Sequence, residues 1–218
     1  MELTAVALWL NTTFATFDLN VALAIHRLYE AAGWFFTPLA EFISLLGFGG
    51  IFLITLGFVL VYFPRSRKMG TAILLGLAAG LLITNILAKP IAARPRPYLW
   101  DGSVLQEIWA DVGMHTESDK SFPSGHMNAA MAVSTAIFLA GNRKKSWLAF
   151  LFAIVMGVAR IYLGVHYASD VLGAVITGGV GGIIGYVVAV HLPAIWYELD
   201  FSNFLPGGRP KGRHLKKK

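Results

Sequence analysis

Long apolar runs separated by short polar clusters set the plan of this chain. Phe36 to Phe63 is apolar, interrupted by Pro38, Glu41 and the Gly47-Phe-Gly-Gly50 run, and the spanning part is expected to end at Phe63. Gly70 to Ala88 forms a second run, long enough to cross a bilayer at about 1.5 Å per residue. Pro123 to Ala140, Ser146 to Leu163 and the glycine-rich stretch His166 to Leu192 supply three more, with Pro123 suited to a first helical turn. The pattern changes over residues 18–32. Val21, Ile25 and Leu28 share one helical face while Asn20, Arg27 and Glu30 fall elsewhere, as in an amphipathic helix lying in the interface. His26 belongs to the polar side of that helix. Residues 1–17 are apolar but short, and fit an interfacial segment or a weak first span. The pattern therefore predicts an all-α integral membrane protein, a bundle of five to six transmembrane helices with an N-terminal interfacial helix. Its expected parts are the segment 1–32, a transmembrane domain 33–192 and a basic tail 193–218.

Composition supports the membrane reading. The 218 residues are 56% hydrophobic and only 14% charged, against about 25% charged in a soluble domain. Mean hydropathy is +0.63. The formal charge of +6 sits in short clusters between apolar runs, which is a topology pattern and argues against a nucleic-acid partner. With no cysteine, disulfides and thiolate chemistry are excluded. Met1-Glu2-Leu3 lacks a positively charged leader region, so insertion is expected to rely on the helices themselves.

The basic clusters predict orientation. Arg65–Lys68, Arg143–Lys145 and the tail Arg209–Lys218 are expected on the cytoplasmic side of a cell membrane. The Lys89–Phe122 connection and the Gly164–Val165 turn then lie outside. That outer loop sets Lys89, Arg94, Arg96 and Lys120 against the acids Asp101, Glu107, Asp111, Glu117 and Asp119.

The candidate chemistry gathers at the outer face. Arg160, His166 and Asp170 lie between two apolar runs, and the spacing of four puts His166 and Asp170 on one face of a helix. Read alone, the stretch fits a helix-end acid and a snorkelling arginine as well as it fits a site. Topology breaks that tie. Lys89 and Arg96 follow the outer end of one span, and Ser124-Gly125-His126 begins the next. Arg160 ends a third at the same face, so three cations, two histidines and an acid meet at one surface. Such cations suit a multiply charged oxyanion, above all phosphate. Helix N-termini at Pro123–Gly125 and Val165–His166 add amides and dipoles, and Gly125 permits close backbone approach. A metal held by His126, His166 and Asp170 is the weaker alternative, because the three cations repel it. Either histidine fits the role of nucleophile on spacing alone.

Other residues have milder readings. Asn85, one turn before Lys89, is expected to hydrogen-bond between helices, with orientation of Lys89 as the sharper alternative. The pairs Gly178/Gly182 and Gly181/Gly185 are expected to pack helices within the bundle. His115, His191 and His214 are placed away from the site. Tyr98, Leu99, Trp100 and Trp109 suit an interfacial aromatic belt or a lid over a lipid entrance.

Taken together, Lys89, six residues, Arg96-Pro97; Pro123-Ser124-Gly125-His126; and Arg160, five residues, His166, three residues, Asp170 resemble the three-part signature of the type 2 phosphatidic acid phosphatase superfamily. The resemblance covers residues 36–192. Two departures stand out. Ala159 occupies the position of a usual serine before the third-motif arginine, which removes a supporting hydrogen bond. Arg94 adds a cation expected to touch substrate or lipid headgroups. The resemblance implies a mechanism with no metal or other cofactor. His166 attacks phosphorus, Asp170 orients the ring and His126 protonates the leaving oxygen. Lys89, Arg96, Arg160, Ser124 and Gly125 bind the phosphoryl oxygens. The implied partner is a membrane lipid carrying a phosphate or diphosphate, with undecaprenyl pyrophosphate favoured by an outward-facing site. Phosphatidylglycerophosphate, phosphatidic acid and phosphotransfer to a hydroxyl are the alternatives. A non-enzymatic transporter or scaffold is disfavoured because both histidines and the acid are present.

Overall fold

The structure, a computed structural model, describes residues 2–199. Those residues are all-α. The first helices are α1 (Ala5–Thr13), α2 (Ala15–Gly47), α3 (Ile51–Tyr62) and α4 (Arg67–Leu81). The short α5 (Lys89–Ala92) and α6 (Val104–Asp111) follow, then α7 (Gly125–Ala140), α8 (Arg143–Ser146), α9 (Ala149–Tyr162), α10 (Ala168–His191) and α11 (Ala194–Glu198). The stretches Ala15–Tyr62, Arg67–Leu99, Arg143–Tyr162 and Ala168–His191 are long and apolar enough to cross a membrane, and Gly125–Ala140 is a shorter apolar helix. Phe58, Ile154 and Ile176 stay exposed on the bundle, as a lipid-facing surface requires.

Helix α1 is short. Its nine residues reach about 14 Å at 1.5 Å per residue, too short to cross alone. It packs instead against the segment after α4, where Thr4 Oγ1 donates to Ala92 O at 2.5 Å.

Helix α2 runs past residue 32 with a break in helical geometry at Ala32 (φ −161°, ψ 59°). It keeps to one end of the bundle along its whole length. Asp18 meets Ser169, His26 Nε2 lies 3.2 Å from Asp111, Thr37 and Tyr162 hydroxyls are 2.7 Å apart, and Ser44 meets Arg160. The apolar face of the amphipathic stretch is thus packed on the protein, with Val21, Ile25 and Leu28 against buried clusters. Gly49 (φ 56°) and Gly50 (φ 68°) then turn the chain into α3, a conformation that side-chain-bearing residues adopt at a cost.

The bundle core is a close contact of α4, α7 and α10. A Cβ on Gly185 would sit 2.3 Å from Gly76 N, and one on Gly181 would sit 2.8 Å from Gly80 Cα. On the other face of α10, a Cβ on Gly178 or Gly182 would meet the Asn128 or Ala132 carbonyl at 2.4 or 2.5 Å. Both glycine pairs therefore pack helices within the bundle, as the sequence predicts, because only a missing side chain lets the backbones approach this far.

The helix ends sort into two sets. Lys89, the start of α7, the end of α9 and the start of α10 lie at the end that α2 covers, and the Arg65–Lys68 and Arg143–Lys145 clusters lie at the other. Arg67 departs from a solvated loop cation. It is buried, and donates to Val61 O at 2.8 Å and to Tyr197 O at 3.0 Å, tying the α3–α4 turn to α11. The Arg209–Lys218 tail and His214 lie outside the described residues.

Candidate active site

The first motif leaves α4 through a widened turn. Residues Leu82–Ala88 form a π-helix, a geometry often found beside functional sites, and it delivers Lys89 to the head of α5. Ala93 then takes a left-handed conformation (φ 46°), and Arg94 and Arg96 follow as non-helical, buried residues. At the third motif, α9 ends with Arg160, Gly164 turns the chain (φ 65°) and α10 begins after the cap Tyr167. Asp170 is the third residue of α10, and its Oδ2 accepts from Tyr167 N at 3.0 Å. The second motif is tied to the third through Ser124 N, which donates to Asp170 O at 3.2 Å.

His166 precedes α10, so no helix face brings it to Asp170. The cap geometry does so, placing His166 Nδ1 3.3 Å from Asp170 Oδ2. Arg96 Nη1 lies 2.9 Å from His166 Nε2 and 3.4 Å from Nδ1, and it also donates to Val165 O at 2.8 Å. A guanidinium only donates, so the nearer nitrogen, Nε2, carries the lone pair and Nδ1 carries the proton facing Asp170. That tautomer leaves Nε2 pointed at the cations.

Behind Asp170 lies a buried polar network. Arg94 Nη1 donates to Asp170 Oδ1 and to Ser169 Oγ, each at 2.7 Å, while its Nη2 reaches Asp18 Oδ2 at 2.9 Å. Its Nε donates to Asn11 Oδ1 at 2.8 Å. Asp18 also accepts from Ser169 N at 2.7 Å, and Ser121 Oγ donates to Asp170 Oδ2 at 2.5 Å. The Arg94 expectation is corrected. Arg94 is buried and pinned between two carboxylates, Asp170 and Asp18.

In front of His166 the three cations are covered by the loop before α7. Asp119 bridges Lys89 and Arg96, and Glu117 pairs with Arg160. Partial burial works to raise both carboxyls, but Lys89 and Arg96 hold Asp119 below its usual pKa, and Arg160, with His126 and Arg96 behind it, does the same for Glu117. Arg160 also donates to Ser44 on α2. Ala159 itself is packed in an apolar cluster with Ala40, Tyr162 and Leu163. Of the six buried side-chain polar atoms without a hydrogen-bond partner among the described residues, two belong to the predicted phosphate-binding set, Ser124 Oγ and Arg160 Nε.

Cavities border this cluster. One of about 550 Å³ runs from Gly50, Ile54 and Phe58 on the bundle's flank to Lys89, Gly125 and His126. Another of about 510 Å³ is lined by Glu41, Ser44, His115, Glu117, His126 and Arg160. A Cβ on Gly125 would sit 3.7 Å from Lys89 Nζ, an ordinary contact, so the glycine stands directly beside the first-motif cation. The eight sequence-predicted residues Lys89, Arg96, Ser124, Gly125, His126, Arg160, His166 and Asp170 are thus brought to one end of the bundle.

Three secondary expectations change. His115 lies at the cavity rim, with Nε2 3.1 Å from Glu41 Oε1, rather than away from the site. Tyr98 and Trp109 stack at 4.8 Å in a buried cluster, and Trp100 Nε1 donates to Tyr167 Oη at 2.7 Å, so these rings hold the loop on the protein instead of forming a belt. Asn85 is exposed along the cavity wall, and among the described residues it makes no helix–helix hydrogen bond. Asp18, Glu117 and Asp119 went unread because a lone acid in a helix or polar loop carries no motif.

A helical bundle with lipid-length apolar faces and a three-cation, two-histidine cluster defines a multi-span membrane protein with these charged side chains gathered at one end. The chain belongs to the PAP2 superfamily, whose family model matches residues 69–193. It is 36% identical over 113 residues to the undecaprenyl-diphosphatase BcrC of Bacillus subtilis, covering 50% of each chain. It is 32% identical over 135 residues to the lipid A 4'-phosphatase of Bacteroides thetaiotaomicron, covering 61% of this chain and 56% of that one. The chain spans about half the length of these curated relatives. The crystal structure of Aquifex aeolicus LpxE aligns with a TM-score of 0.58 and 25% identity, over 69% of this chain and 84% of that one.

Proposed function

We propose that this protein is a metal-independent lipid phosphatase that works through a phosphohistidine, with a lipid diphosphate of the undecaprenyl type as substrate. The observation that carries the reading is the pairing of His166 with Arg96 and Asp170, which leaves the lone pair on Nε2, on the side of the Arg96 guanidinium. In the proposed reaction Nε2 attacks phosphorus as the bond to the lipid oxygen breaks. His126, at the head of α7 and lining both cavities, gives that oxygen its proton. Water then attacks the phosphohistidine, His126 takes the proton back, and orthophosphate leaves. Lys89, Arg96 and Arg160, with Ser124 Oγ and the Gly125 amide, neutralise the charge that gathers on the equatorial oxygens. Asp170 keeps the proton on Nδ1 and stabilises the cationic ring of the intermediate.

The apolar cavity leading from Phe58 to Lys89 suits a long hydrocarbon tail with its phosphate at the cations. The basic loops at the far end of the bundle support an outward-facing site with those loops and the C-terminus in the cytoplasm. The relative named undecaprenyl-diphosphatase favours a diphosphate, and the lipid A phosphatase keeps monophosphates in the comparison. Phosphate release by the purified chain in detergent with chelator tests the reading, using undecaprenyl pyrophosphate, phosphatidylglycerophosphate and phosphatidic acid in parallel. Fastest release from the prenyl diphosphate is expected. Faster release from a glycerolipid overturns the substrate, and release that needs an added divalent metal overturns the mechanism.

A further inference from the structure

The contact between the loop carboxylates and the cations goes unused in that mechanism. Each phosphate-seat cation already holds an anion. Asp119 sits across Lys89 and Arg96, and Glu117 sits on Arg160, so two negative charges meet three positive ones. The partners differ in freedom. The side chains of Lys89, Arg96 and Arg160 are 9%, 3% and 3% exposed, whereas those of Asp119 and Glu117 are 48% and 30% exposed. Arg96 and Arg160 are also held from behind, by Val165 O and Ser44 Oγ, and the acids have a solvent side into which they can turn. Their loop is braced on both flanks. Tyr98 Oη accepts from Glu117 N at 3.1 Å, and Arg96 Nε donates to Asp119 O at 3.1 Å, so the backbone can stay while the carboxylates leave.

We propose that Glu117 and Asp119 act as an internal stand-in for phosphate, a pair of carboxylates that any incoming phosphoryl group must displace from Lys89, Arg96 and Arg160. This rests on the phosphatase reading of the same site. A carboxylate offers the same acceptor geometry to a guanidinium fork as two phosphate oxygens. The stand-in raises the threshold for every anion equally, and a lipid held at the site by its tail overcomes it through a high effective concentration. Free orthophosphate has no such help. The returning carboxylates expel it after turnover and keep the seat closed to soluble phosphates.

The test is orthophosphate binding to the purified full chain in detergent, read by titration calorimetry and as a competitive inhibition constant. Wild type is compared with Glu117→Gln, Asp119→Asn and the double variant. Each partly exposed ion pair is worth little, so each single variant should bind orthophosphate a few-fold more tightly and the double variant about tenfold. Unchanged or weaker binding in the folded double variant overturns the inference, because acids that merely organise the cations lower affinity when removed. The single variants keep the test open should the double variant fail to fold. If the wild type releases phosphate from lipid and the variants gain no affinity, this inference alone falls. If no form binds orthophosphate and none turns over lipid, the phosphatase reading falls with it.

Discussion

The Arg94 guanidinium lies 2.7 Å from Asp170 Oδ1, and both side chains are buried. Arg94 therefore stands directly behind the acid that orients His166, and Asp18 on α2 offsets the cation from the other side at 2.9 Å. Breaking one partner of such a buried set leaves a charge uncompensated, a loss of about 3–5 kcal/mol. Arg94→Gln should lose that much in urea unfolding of the detergent-solubilised protein. Adding Asp18→Asn should recover part of it, since the double variant no longer buries two facing carboxylates. Losses that simply add would show that the two residues do not act as a pair.

His126 packs against a glycine outside the three motifs. A Cβ on Gly47 would lie 2.6 Å from His126 Cδ2 and 3.0 Å from Met156 Cε. Both neighbours are side chains, so Gly47→Ala should cost little stability and instead turn the ring. The variant should lower kcat in the same direction as His126→Ala, whose loss is about 10²- to 10⁴-fold where general-acid help is needed. Because a lipid phosphate leaves more easily than a lipid alkoxide, both variants should impair monophosphate substrates more than diphosphates. Equal losses on the two substrate types would remove His126 from the acid role.

Much of this site is legible in the sequence, and the reason is spacing. Lys89 and Arg96, Ser124 to His126, and Arg160 to Asp170 each sit beside a span end, and alternation of spans forces those ends to one face. What lies behind and in front of the motifs is not legible. Asp18 and Arg94 meet across seventy-six residues of sequence, and no period or turn signal couples them. Glu117 and Asp119 look like solvated acids until the loop is seen folded onto the cations. Helix α2 reads as amphipathic only to residue 32 because its second half uses Glu41 and Ser44 sparingly, yet both point into the site's rim.

Glycine placement makes a sharp contrast on one helix. A Cβ on Gly185 would collide with Gly76 N at 2.3 Å, and a Cβ on Gly179 would meet nothing within 4 Å. Gly185→Ala should destabilise the bundle by about 1–3 kcal/mol through overpacking of α4 on α10. Gly179→Ala should leave it unchanged or slightly stabilised. The melting temperatures of the two variants, measured side by side in detergent, check the order, and similar values would contradict the backbone contact.

The depressed carboxyls of Glu117 and Asp119 set a pH window. A carboxylate held below its usual pKa adds stability above its unfolded value, about 4, and loses it as pH falls through the lower folded value. The stability gap between wild type and the Glu117→Gln/Asp119→Asn variant should stay constant from pH 8 to about pH 5 and close only below about pH 4. A gap that fades between pH 7 and pH 5 would show that these acids are not held by the cations.

The central claim is that His166 Nε2 takes the phosphoryl group. Rapid quench of the enzyme with radiolabelled lipid phosphate, followed by peptide mapping of the acid-labile, alkali-stable label, tests it most directly. The account predicts label on the peptide containing His166, lost in His166→Ala and accumulating in any variant that slows the water step. A stable label on another residue, or full turnover by His166→Ala, would contradict it.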